Sequence, residues 1–245
     1  MRMLLCVLLI IAVQLPAAAD CSGGLRVHTS RVTASVYRRD LRWLQQVFAG
    51  VGCKVVVQDE EIASFGRILR SLEEGKHDFA LGLSRTPERE AQFYFSPAYT
   101  RDNLRVYVSR SNHNMPATVT INELSNYKNS LVIPLYGWYG DAFENFRSQH
   151  QLSAQVLTYQ NDPDGLRLAL NNSDALLIMS ERVFESLADK TAHEQLRNLE
   201  PALFSDPLHI TFSRQSLNDE TFNHLNGAIE QALKAGNTPE KFPLH

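Results

Sequence analysis

The chain has 245 residues, of which 44% are hydrophobic and 21% are charged, and its formal net charge is −3. This length fits one large or two small domains, and the composition is that of a globular protein with a sizeable core. The slight negative charge and the lack of a lysine or arginine block exclude nucleic acids and anionic membrane surfaces as expected partners.

The first 19 residues have the pattern of a secretory signal. Arg2 gives a positive start, residues 3–15 form an apolar run, and the alanines at 17–19 form a small-residue cleavage site. The apolar run is too short to span a bilayer comfortably, so we expect a free protein in the periplasm. The alternative is a lipid anchor on Cys21, but Asp20 stands where lipoprotein signals have a small residue.

Cys21 and Cys53 remain after the signal is removed, in a compartment that permits disulfides. They precede two strand-like runs, residues 25–28 and 55–57, which one predicted helix separates. This pattern indicates neighbouring parallel strands, so both cysteines should lie at the same edge of a sheet. We predict a disulfide between them, and the alternative is two unpaired thiols.

The next elements predict an α/β architecture. Apolar side chains at 41, 44, 47 and 48 mark one helix, a second helix follows over residues 64–72, and residues 79–83 form a strand. Strand, helix, strand, helix, strand is the order of an α/β fold. Ligand sites in such folds lie beyond the carboxyl ends of the strands, which is where residues 84–89 fall.

Residues 78–89, DFALGLSRTPER, lead from that strand into a short helix. Thr86 is a candidate N-cap and Pro87 a first helical residue, so Arg89 lies in the first turn. Free backbone N–H groups make a helix start positive, so a cation there needs a compensating anion, such as a bound carboxylate. The alternative is a solvated arginine paired with Glu88 or Glu90.

Three linked segments, residues 75–78 (GKHD), 82–89 (GLSRTPER) and 95–99 (FSPAY), resemble the central motifs of bacterial extracytoplasmic solute-binding proteins for polar amino acids. The resemblance implies that Arg89 grips the ligand carboxylate, with Ser84 and the backbone near Gly82 completing the grip. A guanidinium suits this role because its fork can donate two parallel hydrogen bonds to a carboxylate.

The resemblance also implies a type II clamshell of two lobes. Each lobe would be a small mixed or parallel sheet flanked by helices, and two strands, near residues 99–102 and 204–207, would form the hinge. We expect residues 20–99 and 206–245 in lobe 1 and residues 100–205 in lobe 2. The tail from residue 236 lacks the usual last helix, so we expect it to be loose.

A second strand-to-turn segment lies at residues 130–140. Its turn, Gly137 to Gly140, matches in position a glycine-led turn whose backbone N–H groups bind the ligand carboxylate in the family. Trp138 and Tyr139 replace the usual small residues there. They either contact a ligand or pack in the core and between the lobes.

Residues 171–180 depart from the family pattern at one position. In amino-acid binders, an acidic residue five places after the aspartate matching Asp174 receives the ligand ammonium, and here that place holds Met179. A methionine cannot balance a buried ammonium. We therefore expect the cleft to disfavour ordinary α-amino acids, unless Glu181, Glu60 or Asp141 supplies the acid. The loop expected over residues 28–36 also lacks the family's aromatic-proline segment.

These features predict a periplasmic binding protein, without cofactor, metal or catalytic group, that acts as a monomer. It would capture a small carboxylate-bearing solute and deliver it to an ABC transporter permease or a sensor receptor. The alternative is an enzyme on the same fold, similar to periplasmic cyclohexadienyl dehydratases, which needs a cleft carboxylate as acid or base. The residues expected to bind the ligand are Phe65, Gly82, Ser84, Thr86, Arg89, Gly137, Trp138, Tyr139 and Met179.

Overall fold

The computed structural model describes residues 21, 23–60, 65–150 and 152–242, with residues 28–35, 59, 60 and 65 described by their backbone alone. The predicted signal at residues 1–19 lies outside the described residues. No helix within these ranges combines the length and the apolar character that crossing a membrane requires.

Helices alternate with strands along most of the chain. The strands are β1 (Leu25–Ser30), β2 (Val55–Glu60), β3 (Phe79–Leu83), β4 (Phe93–Phe95), β5 (Thr100–Ser109), β6 (Leu131–Pro134), β7 (Val156–Tyr159), β8 (Leu176–Ser180), β9 (Leu196–Asn198) and β10 (Phe204–Ser213). The α-helices are α1 (Arg31–Ala49), α2 (Phe65–Glu73), α3 (Pro87–Glu90), α4 (Ile121–Leu124), α5 (Asp141–His150), α6 (Asp162–Leu170), α7 (Glu181–Leu187), α8 (Lys190–Gln195) and α9 (Asp219–Lys234). A 3-10 helix spans Pro239–Lys241.

The strands form one mixed sheet in the order β2-β1-β3-β10-β5-β8-β6-β7, with β4 beside β10 and β9 beside β5. β1 is parallel to β2 and β3, and β6 is parallel to β7 and β8. The antiparallel strands β5 and β10 join these two parallel sets, pairing residues 100–104 with residues 204–208. We call β1–β4 with residues 209–213 of β10 the first half, and β5–β9 the second half. The two-strand connection expected from sequence is confirmed.

Each half has its own hydrophobic core. In the first half, Trp43 and Phe48 of α1 pack against Phe79 and Phe212 of the sheet, and all four are fully buried. In the second half, the central strand β8 is buried along its whole length, because apolar clusters cover both of its faces. Two cores explain why a cleft can lie between the halves without weakening either one.

The chain enters α1 directly from β1, so the loop expected over residues 28–36 is wrong. The buried positions Val36, Asp40, Trp43 and Val47 follow helical spacing and extend the face that the sequence showed only from residue 41. Asp40 interrupted the apolar pattern, because it is a buried charged residue on that face. The helix is therefore longer at its start than its apolar residues indicate.

The segment after α9 is also more ordered than expected. The indole Nε1 of Trp43 donates to the carbonyl of Asn237 at 3.0 Å, and Thr100 Oγ1 donates to Glu240 at 3.0 Å. Pro239 is buried. The expectation of a loose tail is wrong for residues 236–242, because these contacts come from residues far away in the sequence.

The predicted disulfide is confirmed. Cys21 and Cys53 are bonded, with their Cα atoms 5.2 Å apart. The pairing follows from the parallel register of β1 and β2, in which Leu25 is opposite Val55. Both cysteines therefore lie at the same edge of the sheet, just before their strands begin.

Candidate functional site

A cleft of about 190 Å³ lies between the two halves. Its wall includes residues that follow β3, β6 and β7 along the chain, which are the positions where α/β sheets place ligands. The lining residues are Val36, Tyr37, Ile68, Ala80, Leu81, Gly82, Leu83, Ser84, Arg89, Asp102, Leu104, Pro134, Tyr136, Gly137, Trp138, Tyr139, Tyr159, Gln160, Asn161, Asp162, Ser180, Val183, Phe204, Asp206 and Leu208.

Arg89 reaches the cleft from the first turn of α3. Thr86 caps this helix, with its side chain accepting from the Arg89 N–H at 3.4 Å, and Pro87 follows as the first helical residue. The Arg89 guanidinium donates to the carbonyl of Ser84 at 2.8 Å, which fixes its direction. Burial lowers the pKa of Arg89, while the charge of Glu144 opposes that shift. A half-buried guanidinium on a cleft wall favours an anionic group beside it.

Arg85, four residues before Arg89, has a different environment. Its side chain is 52% exposed and forms an ion pair with Glu90. The alternative role considered for Arg89, a solvated arginine on a helix surface, is therefore the one that Arg85 occupies.

Gly82 brings the floor of the cleft against Tyr37. Its φ is +71°, in the left-handed region that favours glycine, and a Cβ at this position would overlap the Tyr37 ring. Tyr37 comes from α1 and lines the cleft. Tyr37 was not predicted from sequence, because the helix that carries it was expected to begin at residue 40.

The turn after β6 carries the two aromatic residues singled out in the sequence. Gly137 has φ +100°, and a Cβ on it would lie 2.7 Å from the Tyr139 ring. Trp138 packs edge-on against Phe204 at 5.4 Å between ring centroids, and Tyr139 packs edge-on against Phe143 at 5.7 Å. Both aromatic residues pack on neighbouring rings and also line the cleft, so packing is confirmed and contact with a ligand stays a prediction.

Arg147 and Glu144 of α5 hold this turn in place. Arg147 forms an ion pair with Glu144 and donates to the carbonyl of Gly137 at 3.1 Å. The backbone N–H of Tyr139 donates to Glu144 Oε1 at 3.0 Å. One of the N–H groups that the family resemblance offers to a ligand carboxylate is therefore already bonded to a carboxylate of the protein.

Asp102 lies in the part of β5 that connects the two halves, and its carboxylate accepts three hydrogen bonds from described residues. Ser180 Oγ donates to it at 2.6 Å, the N–H of Asn103 at 2.8 Å and the N–H of Arg182 at 3.4 Å. Burial raises the pKa of Asp102, and the bond from Ser180 is the largest effect opposing that rise. Asp102 thus connects β5 to the end of β8 and to the start of α7.

Asp162 is another cleft residue that was not predicted from sequence. It is the first residue of α6, after the N-cap Asn161, and it follows β7 as Arg89 follows β3. Burial and, to a lesser degree, the charge of Asp102 raise the pKa of Asp162 to about 6. The segment Asn161-Asp162-Pro163 after a strand was a usable signal, because Pro163 marks a helix start at the ligand edge of the sheet.

Asp206 is a third carboxylate of the cleft. It is opposite Asp102 in the β5–β10 ladder, and its Oδ2 is buried without a hydrogen-bond partner among the described residues. Its negative charge acts on Arg89. The cleft therefore has acids that the sequence did not clearly place there, and among the described side chains that line it neither Glu181 nor Asp141 is present.

Met179 lies in the core of the second half. It is fully buried in the cluster that contains Tyr107, Val132 and Phe184, and the next residue, Ser180, lines the cleft instead. Side chains alternate between the faces of a strand, so Met179 and Ser180 point to opposite sides of β8. Met179 therefore does not line the cleft, and a preference against α-amino acids cannot be argued from it.

The other predicted ligand-binding residues divide into two sets. Gly82, Ser84, Arg89, Gly137, Trp138 and Tyr139 come together around the cleft. Thr86 is buried as the cap of α3, and Phe65 begins α2, where the description is limited to its backbone. Within the described ranges, no group of three or more His, Cys, Asp or Glu side chains is arranged to hold a metal ion.

Comparison with known proteins gives a family match. The sequence profile of the "Bacterial extracellular solute-binding proteins, family 3" matches residues 40–240. A comparison with curated proteins gave no match.

Solved structures with a similar fold include binding proteins and a receptor domain. An ancestral amino acid-binding protein, a precursor of cyclohexadienyl dehydratase, has 19% identity and a TM-score of 0.66, over 90% of this chain and 93% of its own. An amino acid ABC transporter substrate-binding protein from Streptococcus pneumoniae, solved with L-arginine, has 17% identity and a TM-score of 0.62, over 83% and 81%. A histidine kinase sensor domain with similarity to periplasmic binding proteins has 14% identity and a TM-score of 0.65, over 87% and 91%. At these identities the likeness concerns the fold alone, and the predicted periplasmic-binding-protein fold is confirmed.

Proposed function

We propose, because this chain belongs to the bacterial extracellular solute-binding proteins of family 3, that its cleft captures a small solute outside the cytoplasm and that Arg89 receives a carboxylate of that solute. The observation that carries this proposal is the position of Arg89. It lies half-buried on the cleft wall at a helix start, with one nitrogen bonded to the Ser84 carbonyl. A guanidinium held in this way is oriented before the ligand arrives, which reduces the entropy lost on binding.

The two halves supply different parts of the grip. In our proposal Arg89 and Ser84 hold the carboxylate from the first half, while Trp138 and Tyr139 cover the body of the solute from the second half. Residues 20–99 and 206–245 would form one lobe and residues 100–205 the other. They would close on the solute by bending at β5 and β10, the two strands that connect them.

The captured solute would pass to a partner in the inner membrane. One structural neighbour is the substrate-binding protein of an amino acid ABC transporter, and another is the sensor domain of a histidine kinase. Both support delivery of a solute, to a transporter permease in the first case and to a receptor in the second. We favour the transporter, because the family is named for solute binding.

Binding without turnover is the function that we propose. Among the solved structures, one neighbour is an amino acid-binding precursor of a dehydratase, and the others named above are a transporter component and a sensor domain. A dehydratase activity is therefore not favoured by these neighbours.

The proposal is tested by identifying the solute and then removing the fork of Arg89. Native mass spectrometry of freshly purified protein should show a co-purified small carboxylic acid or amino acid. Arg89→Lys keeps the charge but cannot donate two parallel hydrogen bonds to one carboxylate. It should weaken the binding free energy of that ligand by about 1.5 to 3 kcal/mol, measured by calorimetry.

The matched control for this test is Arg85→Lys. The same chemical change is made there on an exposed arginine outside the cleft, and it should leave affinity unchanged. Equal affinity of the Arg89→Lys variant and the unchanged protein, with the circular dichroism spectrum preserved, would refute the role of Arg89.

A further inference from the structure

We propose that the ion pair between Asp40 and Arg182 is a latch between the two halves, one that forms when the cleft shuts and breaks when it opens. The latch would then set the fraction of open protein before any solute arrives. This inference rests on the proposed function only in assuming that the halves bend at β5 and β10. Neither residue of the pair is among those that line the cleft.

The two residues of the latch are anchored in different cores. Asp40 lies on α1, whose Trp43 is part of the core of the first half. Arg182 lies on α7, whose Phe184 is buried in an apolar cluster of the second half. Arg182 Nη2 donates to Asp40 Oδ2 at 2.6 Å, so movement of one half against the other changes this distance directly. A hydrogen bond is lost beyond about 3.5 Å, so a small rotation of the halves is enough to break the latch.

Arg182 lies where the two halves meet one of the strands that connect them. Its Nη1 donates to Thr100 Oγ1 at 2.9 Å, and Thr100 is the first residue of β5. Its backbone N–H donates to Asp102 at 3.4 Å, and its guanidinium lies 5.9 Å from the centre of the Tyr37 ring. Asp102 and Tyr37 both line the cleft. The latch therefore contacts the cleft wall without being part of it, so movement of that wall acts on the latch.

The latch is strong but incompletely satisfied. Asp40 Oδ2 accepts from both Arg182 and Tyr99, whereas Asp40 Oδ1 is buried without a hydrogen-bond partner in the described part of the chain. Within the same part, Arg182 Nε is also buried without a partner. Burial raises the pKa of Asp40, and the charge of Arg182 is the largest effect opposing that rise. Opening the cleft would let water reach both of these atoms, which offsets part of the loss of the ion pair.

This balance is what a conformational switch requires. The ion pair favours the shut form, while the hydration of buried charged groups favours the open form, so the two forms can both be populated. The neighbouring ion pair of Arg105 with Glu181, at 2.7 Å, has no such effect, because β5 and α7 belong to the same half. Removing the Asp40–Arg182 pair should therefore shift the solute-free protein towards the open form, and removing the Arg105–Glu181 pair should not.

The test measures the distance between the halves in solute-free protein. Spin labels on Glu88→Cys in α3 and Ala142→Cys in α5, two exposed positions in different halves, report this distance by double electron–electron resonance. The native cysteines are bonded to each other and do not take the label. Unfolding in urea without reductant, followed by refolding, removes any co-purified solute. Asp40→Asn and Arg182→Gln should each shift the main distance to longer values.

Glu181→Gln is the matched control, because it removes an ion pair one residue away that lies within the second half, and it should leave the distance unchanged. The double variant Asp40→Asn/Arg182→Gln leaves neither charge of the latch unpaired, so it serves as the test if a single variant folds poorly, and it should also show the longer distance.

The inference is overturned if the double variant keeps the distance of the unchanged protein, or if Glu181→Gln lengthens the distance as much as the latch variants do. Both results are independent of Arg89, whose role in solute capture is decided by the calorimetry of Arg89→Lys. Failure of the latch and failure of the proposed function are therefore distinguishable.

Discussion

The carboxylate of Asp40 and the guanidinium of Arg182 form a 2.6 Å ion pair that joins α1 of the first half to α7 of the second half. The Asp40 side chain is completely buried and that of Arg182 is 13% exposed. Tyr99 donates to the same carboxylate at 2.8 Å, and Arg182 also donates to Thr100 at 2.9 Å. The pair therefore lies beside β5, one of the two strands that connect the halves, and it links α1 directly to α7.

Removing the Asp40 carboxylate should destabilise the whole chain. Asp40→Ala leaves the guanidinium of Arg182 buried without its counter-ion, and we expect a loss of about 3 to 5 kcal/mol in the free energy of unfolding. Urea unfolding followed by circular dichroism measures it. Glu194→Gln is the control, because the Lys190–Glu194 pair is exposed and should contribute almost nothing. A loss as small as that of the control would show that the buried pair is not a stabilising link.

The disulfide should account for a large part of the stability of the first half. Cys21 and Cys53 are 32 residues apart, and closing a loop of this length stabilises the folded chain by about 3.5 kcal/mol in the chain-entropy model. Reduction with dithiothreitol should therefore lower the midpoint of urea unfolding. Intact-mass analysis after alkylation checks the bond, and two alkylated thiols in unreduced periplasmic material would contradict it.

Gly82 should not tolerate a side chain. Gly82→Ala places a Cβ at a φ of +71° and against the Tyr37 ring, so we expect a loss of about 1 to 3 kcal/mol and weaker solute binding as Tyr37 shifts. Gly227→Ala provides the opposite case. It lies in α9 with open space around its Cβ, and it should gain about 0.5 to 1 kcal/mol. Equal stability of the two variants would remove the case for a close contact at Gly82.

The position of Arg89 at the ligand edge of the sheet could be predicted because the elements that determine it are close to it in the sequence. A strand, a cap and a proline within twelve residues direct the guanidinium into the cleft. The disulfide was predictable for the same reason, since it follows from two short strands and one helix between them. The order of strands and helices could likewise be read from apolar periodicity, because buried faces determine that periodicity.

For the acids of the cleft, sequence reasoning reaches less far. The position of Asp162 at a helix start was readable, but its surroundings were not, because the turn after β6 and the strand β5, which line the cleft with it, lie far from it in the sequence. Met179 shows the converse error. A count of residues along the chain predicted that it lies in the ligand site. Because side chains alternate between the faces of β8, Met179 lies in the core and Ser180 lines the cleft. Such assignments depend on strand register, which one sequence does not contain.

The last prediction is that the carboxylate of Asp162 lowers the stability of the ligand-free protein. Its pKa is raised to about 6 from a usual value near 3.8, because burial and Asp102 disfavour its charge. A raised carboxyl pKa means that the folded state holds the proton more tightly than the unfolded chain. The penalty is therefore absent below the unfolded pKa, grows as pH rises between about 4 and 6, and is complete above 6.

Asp162→Asn removes that penalty. The variant should be more stable than the unchanged protein by about 3 kcal/mol at pH 7.5 and by about 1 kcal/mol at pH 4.5. Urea unfolding of ligand-free protein at both pH values measures the difference. Asp164→Asn should show no such gain, because its carboxylate is stabilised by Arg167 and the pKa of Asp164 is lowered. A variant that is less stable than the unchanged protein at pH 7.5 would contradict the prediction, because it would mean that the Asp162 carboxylate has a stabilising partner within the protein.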